Sequence, residues 1–188
     1  ISDKVHIDIH IVKPTKDKPY YTLVTSGMSD KPMNTRGYDV NPYMELCLAL
    51  PSDWNINDKD FEDENNYWPL RLLKHLARFP HDWDTYFAFG HSIPNADPPE
   101  SYASNTELSS AVLLPPILTK PEFERLRIND EKEIHFFALI PLHQNELQKK
   151  LDEGVDSLLA RFDRYNVNEL IDINRPDSTQ RKKLFSLF

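Results

Sequence analysis

Glycine, cysteine and long apolar runs are scarce in this chain of 188 residues. It has 4 glycines, too few to favour the glycine-rich loops that bind nucleotide phosphates. The single cysteine, Cys47, excludes an internal disulfide framework and favours a reducing compartment. No apolar run approaches the ~18 residues that cross a bilayer, and no signal peptide is visible. We therefore expect a cytoplasmic protein that does not enter membranes.

Basic residues are outnumbered by acidic ones. The chain has 22 Lys and Arg against 30 Asp and Glu, which gives a net charge of -8. The densest basic run, residues 181–183, lies at the C-terminal end. Nucleic-acid binding needs a basic surface to neutralise phosphates, so we expect no nucleic-acid partner. A basic protein partner would suit this charge, because complementary fields speed association.

The composition predicts one folded domain. Hydrophobic residues make up 39% and aromatic residues 11%, which is enough for a core and too much for a disordered chain. The length also suits a single domain. We place its core at about residues 5–176 and a charged tail at 177–188.

Short apolar and alternating segments predict a sheet. Residues 5–11 alternate strictly between apolar and polar side chains, the period of a half-buried strand. Aromatic, β-branched or leucine-rich runs predict further strands at 20–25, 43–50, 86–91, 111–114 and 134–142, with a possible short strand at 123–128. Polar residues 52–66 and the proline-rich residues 93–109 are predicted loops.

Helical periodicity occurs in two segments. At about 66–79 one apolar stripe is formed by Trp68, Leu72, Leu76 and Phe79. We expect Pro69 to lie in the first turn of this helix and Pro80 to stop it. The second segment, about 144–164, has its apolar side at Leu147, Leu151, Val155, Leu158, Leu159 and Phe162, and Gly154 should weaken or break it. The order of elements favours an α+β (mixed α/β) fold around one central sheet, mixed or largely antiparallel.

His6, Asp8 and His10 are the strongest candidates for metal ligands. In a strand these side chains would share one face and could offer three ligands to zinc or a similar ion. The wet face of an edge strand explains the same pattern, because period two alone does not make three ligands converge. We expect no metal or other cofactor, and a metal-dependent enzyme built on these residues stays as an alternative hypothesis.

Other catalytic candidates are weak. Cys47 lies between two leucines in a predicted strand and beside Glu45, which favours a small buried residue over a nucleophile. Polar caps and loops explain the cluster of His81, Asp82, Asp84 and His91 as well as acid–base chemistry does. Ser29 lacks a G-x-S-x-G elbow. We therefore expect a protein that is not an enzyme.

The segment 79–91 is the best candidate for partner binding. It concentrates Trp83, Tyr86, Phe87 and Phe89 among a few charges. Aromatic residues of this kind are enriched in protein interfaces, although a strand would also use them for packing.

Several short motifs, taken in order, resemble one protein family. They are Thr25-Ser26-Gly27-Met28-Ser29-Asp30, Met44-Glu45-Leu46-Cys47-Leu48-Ala49-Leu50-Pro51, Tyr67-Trp68-Pro69-Leu70, Leu76-Ala77-Arg78, Phe89-Gly90-His91, Phe137-Ala138-Leu139-Ile140-Pro141-Leu142, and Glu146. Their order and spacing resemble the Suppressor of fused-like domain family, bacterial stand-alone type, from about His6 to Pro176.

This resemblance implies a mixed α/β fold, no enzymatic activity and a protein partner. In animals the family resembles a scaffold that restrains a transcription factor by clamping a peptide between two domains, and this chain is long enough only for the N-terminal one. The stand-alone form looks like bacterial immunity proteins encoded beside polymorphic toxins. We therefore expect an immunity protein that binds and neutralises a toxin, with a basic toxin as one candidate. A scaffold that sequesters a transcription factor or another peptide-bearing partner is the alternative.

The resemblance also points to particular residues. Family partner contacts fall near the end of the main helix, which corresponds to Phe79, Gly90 and His91 here. Gly90 stands where the family can carry an acidic residue. Together with the exposed aromatic candidates of the same segment, the predicted partner-binding residues are Phe79, Trp83, Phe89, Gly90 and His91.

Overall fold

A computed structural model describes residues 4–180 as one mixed sheet flanked by helices. The strands are β1 (Asp8–Val12), β2 (Tyr20–Ser26), β3 (Met44–Pro51), β4 (Ser92–Pro94), β5 (Ser110–Leu114), β6 (Arg125–Arg127) and β7 (Glu133–Leu142). The helices are α1 (Glu64–Asp82), α2 (Gln144–Glu153) and α3 (Val155–Tyr165). Among residues 4–180, none of the helices combines the length and apolarity that crossing a bilayer demands.

The strand order is β1-β2-β3-β7-β5-β4, with β6 also paired to β7. The pair β3–β7 is parallel, and every other pair is antiparallel. Parallel neighbours need a long crossover, and the chain between β3 and β7 contains α1, β4, β5 and β6. The α+β prediction with a mixed sheet is therefore confirmed.

A hydrophobic core lies on each face of the sheet. Because side chains alternate along a strand, Ala111 and Leu113 of β5 join the core that contains Trp68 and Leu73 of α1. Their neighbours Val112 and Leu114 join a smaller core, with Leu147 of α2 and Leu158 and Phe162 of α3. The sheet therefore separates α1 from the α2–α3 pair.

Most predicted strands are confirmed to within one residue. β2, β3, β5 and β7 match the predicted runs at their centres. The first strand begins only at Asp8, although Val5 and Ile7 are buried as their alternation indicated. The possible strand at 123–128 contains a short 3-10 helix, Pro121–Glu124, followed by β6.

The predicted strand at 86–91 is wrong. This segment is irregular and ends in a turn, in which the N–H of His91 donates to the Ala88 carbonyl at 3.1 Å. Asp84 and Gly90 have positive φ of 49° and 74°, which a regular strand does not allow. The strand that follows, β4, is Ser92–Pro94 and occupies the start of the predicted loop.

The main helix is longer at both ends than the predicted 66–79. Asp63 caps α1 by accepting a hydrogen bond from the Asn65 N–H at 2.9 Å. Pro69 is therefore inside the helix and not in its first turn. Since Pro69 has no N–H to donate, the Asn65 carbonyl instead accepts a bond from Asn105 Nδ2 at 3.2 Å. The prediction that Pro80 stops the helix is also wrong, because buried Pro80 lies within α1, which ends at Asp82.

The C-terminal helical segment is broken at Gly154, as expected. Gly154 has a φ of 87° and separates α2 from α3. Leu151, which lies on α2 before the break, is 62% exposed instead of facing the core. That prediction for Leu151 is therefore wrong.

The end of the described chain packs more tightly than a tail. Glu146 is buried and pairs with Arg175, whose Nη1 and Nη2 lie 2.6 Å and 2.5 Å from its carboxylate oxygens. The backbone N–H of buried Ser178 also donates to Glu146, at 2.9 Å. The packed structure thus continues beyond Pro176, where we placed the end of the core, and the basic run 181–183 lies outside the described residues.

A buried carboxylate organises the turn after β2. Glu45 of β3 accepts hydrogen bonds from the Thr25 hydroxyl at 2.6 Å and the Gly27 N–H at 3.0 Å. Ser29 donates to the same carboxylate through its N–H at 2.9 Å and its hydroxyl at 2.7 Å. Four donors compensate for the loss of water around this anion, which explains the Gly27-Met28-Ser29-Asp30 motif.

Gly27 should tolerate no side chain. A Cβ atom there would lie 1.8 Å from the His6 carbonyl oxygen, and its φ of 106° disfavours other residues. We expect Gly27→Ala to lower the free energy of unfolding by more than about 3 kcal/mol. Gly37→Ala is the matched control: its φ is also positive but its Cβ would meet nothing, so we expect about 1–2 kcal/mol. Urea unfolding measures both, and equal losses would contradict the steric argument.

Arg175→Met should destabilise the protein in a pH-dependent way. Burial alone raises the pKa of Glu146, but the hydrogen bonds and charge of Arg175 and the bonds from Ser178 outweigh it, so this pKa lies below its usual range. The ionised carboxylate therefore stabilises the fold above its unfolded-state pKa, and this contribution is lost as the pH falls through the folded-state pKa. Without Arg175 the buried charge is unpaired, which costs about 3–5 kcal/mol.

The pH dependence of that loss distinguishes the ion pair from simple packing. We expect the difference in unfolding free energy between wild type and Arg175→Met to be largest near neutral pH and to shrink in acid, where Glu146 becomes protonated. Urea unfolding across this range measures it. A difference that stays constant with pH would show that Arg175 acts through packing alone.

A candidate partner-binding surface at the end of the main helix

An open groove of about 620 Å³ lies beside the C-terminal end of α1. Its walls come from the turn at residues 36–38, the segment after α1, β4 and α2. We call it the aromatic groove, lined by Arg36, Tyr38, Phe79, Thr85, Tyr86, Phe87, His91, Ser92, Ile93, Pro94, Lys150 and Leu151.

Hydrogen bonds hold the walls of the aromatic groove together. His81, near the end of α1, donates from Nε2 to the Met28 carbonyl at 2.8 Å, since a carbonyl can only accept. Asn34 Nδ2 donates to the Asp84 carboxylate at 3.0 Å. Arg36 Nη2 donates to the Asp84 carbonyl at 3.2 Å. The end of α1 is thus fastened both to the turn after β2 and to the loop before β3.

Ring contacts form much of its surface. The Tyr38 and Tyr86 ring centroids are 5.5 Å apart, and Tyr86 is 5.4 Å from the His91 ring. Beneath them, Phe79 stacks on buried Phe87 with centroids 5.5 Å apart and an angle of 9° between the rings. Such pairs add stabilisation beyond the area they bury, so we infer that these rings form a firm floor.

Exposed aromatic side chains concentrate around this groove. Within residues 4–180, the exposed Phe, Trp and Tyr side chains are Tyr38, Trp83 and Phe89, at 63%, 69% and 48% exposure. Tyr38 lines the groove. The ring centroid of Trp83 lies 6.2 Å from that of Phe79, which also lines the groove. Leu151, also exposed, is part of the opposite wall. Exposed apolar groups clustered in this way are typical of binding sites.

The five predicted partner-binding residues lie near one another but differ in role. Phe79 and His91 line the groove, and Trp83 projects beside it. Phe89 instead lines an adjacent cavity of about 250 Å³. Gly90 is buried with a φ of 74°, and a Cβ atom there would lie 3.3 Å from the Val155 side chain of α3. Gly90 therefore shapes the turn and does not present a surface.

Seven of the twelve lining residues lie outside the predicted segment 79–91: three follow it directly, and four come from distant parts of the chain. Arg36 and Tyr38 belong to a segment without helix or strand periodicity. The positive φ of Arg36 and Gly37 makes this segment a turn. Lys150 and Leu151 belong to α2, and Leu151, predicted on the apolar side of that segment, lies on the surface. The one signal in the sequence was the Arg-Gly-Tyr run, in which glycine favours a turn that carries an aromatic residue.

The groove is basic although the chain is acidic. Arg36, His91 and Lys150 line it, and no Asp or Glu is among its lining residues. Partial burial lowers the pKa of Lys150. Burial and the charge of Lys150 lower the pKa of His91, which leaves the imidazole neutral near pH 7.

The metal-ligand candidates on the first strand do not converge. His6 Nε2 lies 3.2 Å from Asp8 Oδ1 on an open surface, whereas His10 Nε2 lies 2.8 Å from the Ser26 hydroxyl. Over residues 4–180, no group of three or more His, Cys, Asp or Glu residues is placed to hold a metal ion.

The other catalytic candidates are engaged in the fold. Cys47 is buried, and burial, followed by the charge of Glu169, raises the pKa of its thiol; a thiol with a raised pKa is a poor nucleophile. Ser29 donates to Glu45, and His81 donates to Met28. The carboxylate that Ser29 contacts is buried and accepts from four donors in all, so this contact holds the turn after β2 in place.

Comparison with known proteins identifies one family. The family model described as Suppressor of fused protein (SUFU) matches residues 3–176. A SUFU homologue from Neisseria gonorrhoeae FA 1090 has a similar crystal structure, with a TM-score of 0.67 and 18% identity over 95% of this chain and 82% of that one. No curated protein matches significantly.

Two further solved structures share the fold. The Sufu–Fu complex structure matches with a TM-score of 0.63 and 13% identity, covering 94% of this chain and 78% of that one. Drosophila Suppressor of Fused gives the same TM-score and identity, covering 94% of this chain but 43% of its own. At these identities the likeness concerns the fold alone.

The exposed aromatics should be dispensable for folding, unlike the floor beneath them. We expect Trp83→Asp to change the free energy of unfolding by less than about 1 kcal/mol, because the side chain is mostly in water. Phe87→Ala should cost about 3–5 kcal/mol, since it empties a buried site. Urea unfolding of both variants measures this, and a large loss in Trp83→Asp would assign that ring to the core.

Proposed function

The chain belongs to the Suppressor of fused family, and on that premise we propose that it is a non-enzymatic domain that binds a protein partner at the aromatic groove. One observation supports this most directly: the exposed aromatic side chains of residues 4–180 gather at the end of α1. The floor below them is packed and fastened by hydrogen bonds. Aromatic side chains on a firm base make strong interface anchors, because little entropy is lost on binding.

The partner in this proposal is a bacterial toxin that the domain neutralises by covering it. The family resemblance to stand-alone immunity proteins supports this, and the Neisseria homologue is matched over 82% of its length. A cytoplasmic site of action agrees with a single buried cysteine. Binding alone would suffice, since masking an active surface inhibits a toxin without any chemistry.

The direct test is to co-express the chain with the toxin-like proteins encoded beside its gene and measure capture and growth. We expect wild type to capture one of them and to restore growth. The double variant Tyr38→Asp, Leu151→Asp should lose both activities, because it places charge on two exposed residues that line the groove. The matched control, Val12→Asp, alters an exposed apolar residue on the distant edge strand β1.

The outcomes separate the two parts of the proposal. Capture without growth rescue would refute neutralisation but keep binding at the groove. Capture that the Tyr38, Leu151 variant retains would place the interface elsewhere. No capture of any neighbouring gene product would contradict the toxin hypothesis.

A further inference from the structure

The aromatic groove contains two cations that lack an acidic partner. Lys150 Nζ donates to the Ser92 hydroxyl at 3.0 Å, and no carboxylate within residues 4–180 forms an ion pair with it. The preceding residue, Lys149, pairs with Glu153 at 2.6 Å. The two lysines differ in direction. The Lys150 side chain lines the groove, whereas Lys149 reaches Glu153 on the same helix.

Lys150 is also partly removed from water. Its burial lowers the pKa of the ammonium group, which means that the charge has lost solvation without gaining an opposite charge. Such a cation gains more from a carboxylate than a fully solvated lysine does. An incoming acidic group would therefore bind well at this point.

Arg36 lines the same groove as Lys150. Its guanidinium uses one donor, Nη2, on the Asp84 carbonyl at 3.2 Å. The Asp84 carboxylate, which flanks the groove, accepts from Asn34 instead. Arginine carries five N–H donors in a planar fork, so most of its capacity is available to a carboxylate.

Apolar side chains lie beside these charges. Tyr38 and Leu151 are largely exposed at the mouth of the groove, and Ile93 lies between its walls. A ligand that satisfied only the charges would leave this surface in water. The complementary ligand therefore has both an acidic group and an apolar or aromatic side chain.

We propose that the aromatic groove receives an acidic segment of the protein partner, with a carboxylate between Lys150 and Arg36 and an apolar side chain against Tyr38 and Leu151. This inference rests on the proposed function and specifies the chemistry of the bound segment. It differs from the expectation drawn from net charge, because the whole chain has a charge of -8 while the groove lining has no acidic residue. Local charge decides which segment enters, and net charge acts on the partner as a whole.

A nucleic acid fits this site less well than an acidic peptide. A phosphate backbone carries many charges, and a chain of net charge -8 repels a long polyanion. The groove offers two permanent cations, enough for one or two carboxylates.

Selection of random peptides on the purified chain, followed by fluorescence anisotropy, tests the proposal. We expect the selected peptides to combine Asp or Glu with an aromatic or large aliphatic residue. Lys150→Gln and Arg36→Gln should each weaken their binding about tenfold, whereas Lys149→Gln, the matched control, should leave it unchanged. Urea unfolding establishes that the variants are folded.

Four results would overturn the inference. Neutral or basic selected peptides, or equal affinity for Lys150→Gln and wild type, would refute the acidic segment while leaving partner binding at the groove intact. Tighter binding of oligothymidylate than of the peptides, with the same dependence on Lys150, would assign the groove to phosphates. If no selected peptide depends on Tyr38, tested as Tyr38→Ala, the inference and the proposed groove both fail.

Discussion

The buried carboxylate of Glu45 is the interaction on which the arrangement of this molecule depends. It lies in a central strand and accepts bonds from Thr25, Gly27 and Ser29, so the chain must turn sharply at the end of β2. That turn presents the Met28 carbonyl to His81, which fixes the end of α1. Because a buried anion without donors is costly, the turn cannot relax without exposing the core. The position of the aromatic groove follows from this chain of contacts.

The groove combines a packed base with a surface of exposed rings and of cations that form no ion pair within residues 4–180. Phe79 and Phe87 supply packing below, and Tyr38 and Trp83 remain in water above. A surface of this kind loses little conformational entropy when a partner binds. Lys150 adds specificity, because a partly desolvated cation favours an acidic group over a neutral one. The net charge of the whole chain is -8, which opposes the approach of a polyanion.

Sequence patterns predicted the elements that local chemistry controls. Alternation identified the main strands, and the stripe from Trp68 to Leu76 identified α1, because burial of one face imposes a period. The errors occurred where tertiary contacts override local preference. Pro80 remains within α1 because it is buried, and residues 86–91 are irregular because positive φ at Asp84 and Gly90 turns the chain toward β5. The segment from Phe79 to His91, singled out from the sequence, supplies five of the residues that line the groove, and Arg36, Tyr38, Lys150 and Leu151 reach it from distant segments.

The sequence by itself determined the family, the mixed sheet and the core, since these depend on motifs and on periodic burial that are written along the chain. Tertiary structure alone decided which side chains share the groove and which charges lack partners. Lys149 and Lys150 are neighbours of the same type, yet one is paired and the other is not. That difference depends on the direction of each side chain in space, because Lys149 reaches Glu153 on its own helix while Lys150 lines the groove, and no local pattern encodes which other segments form that groove.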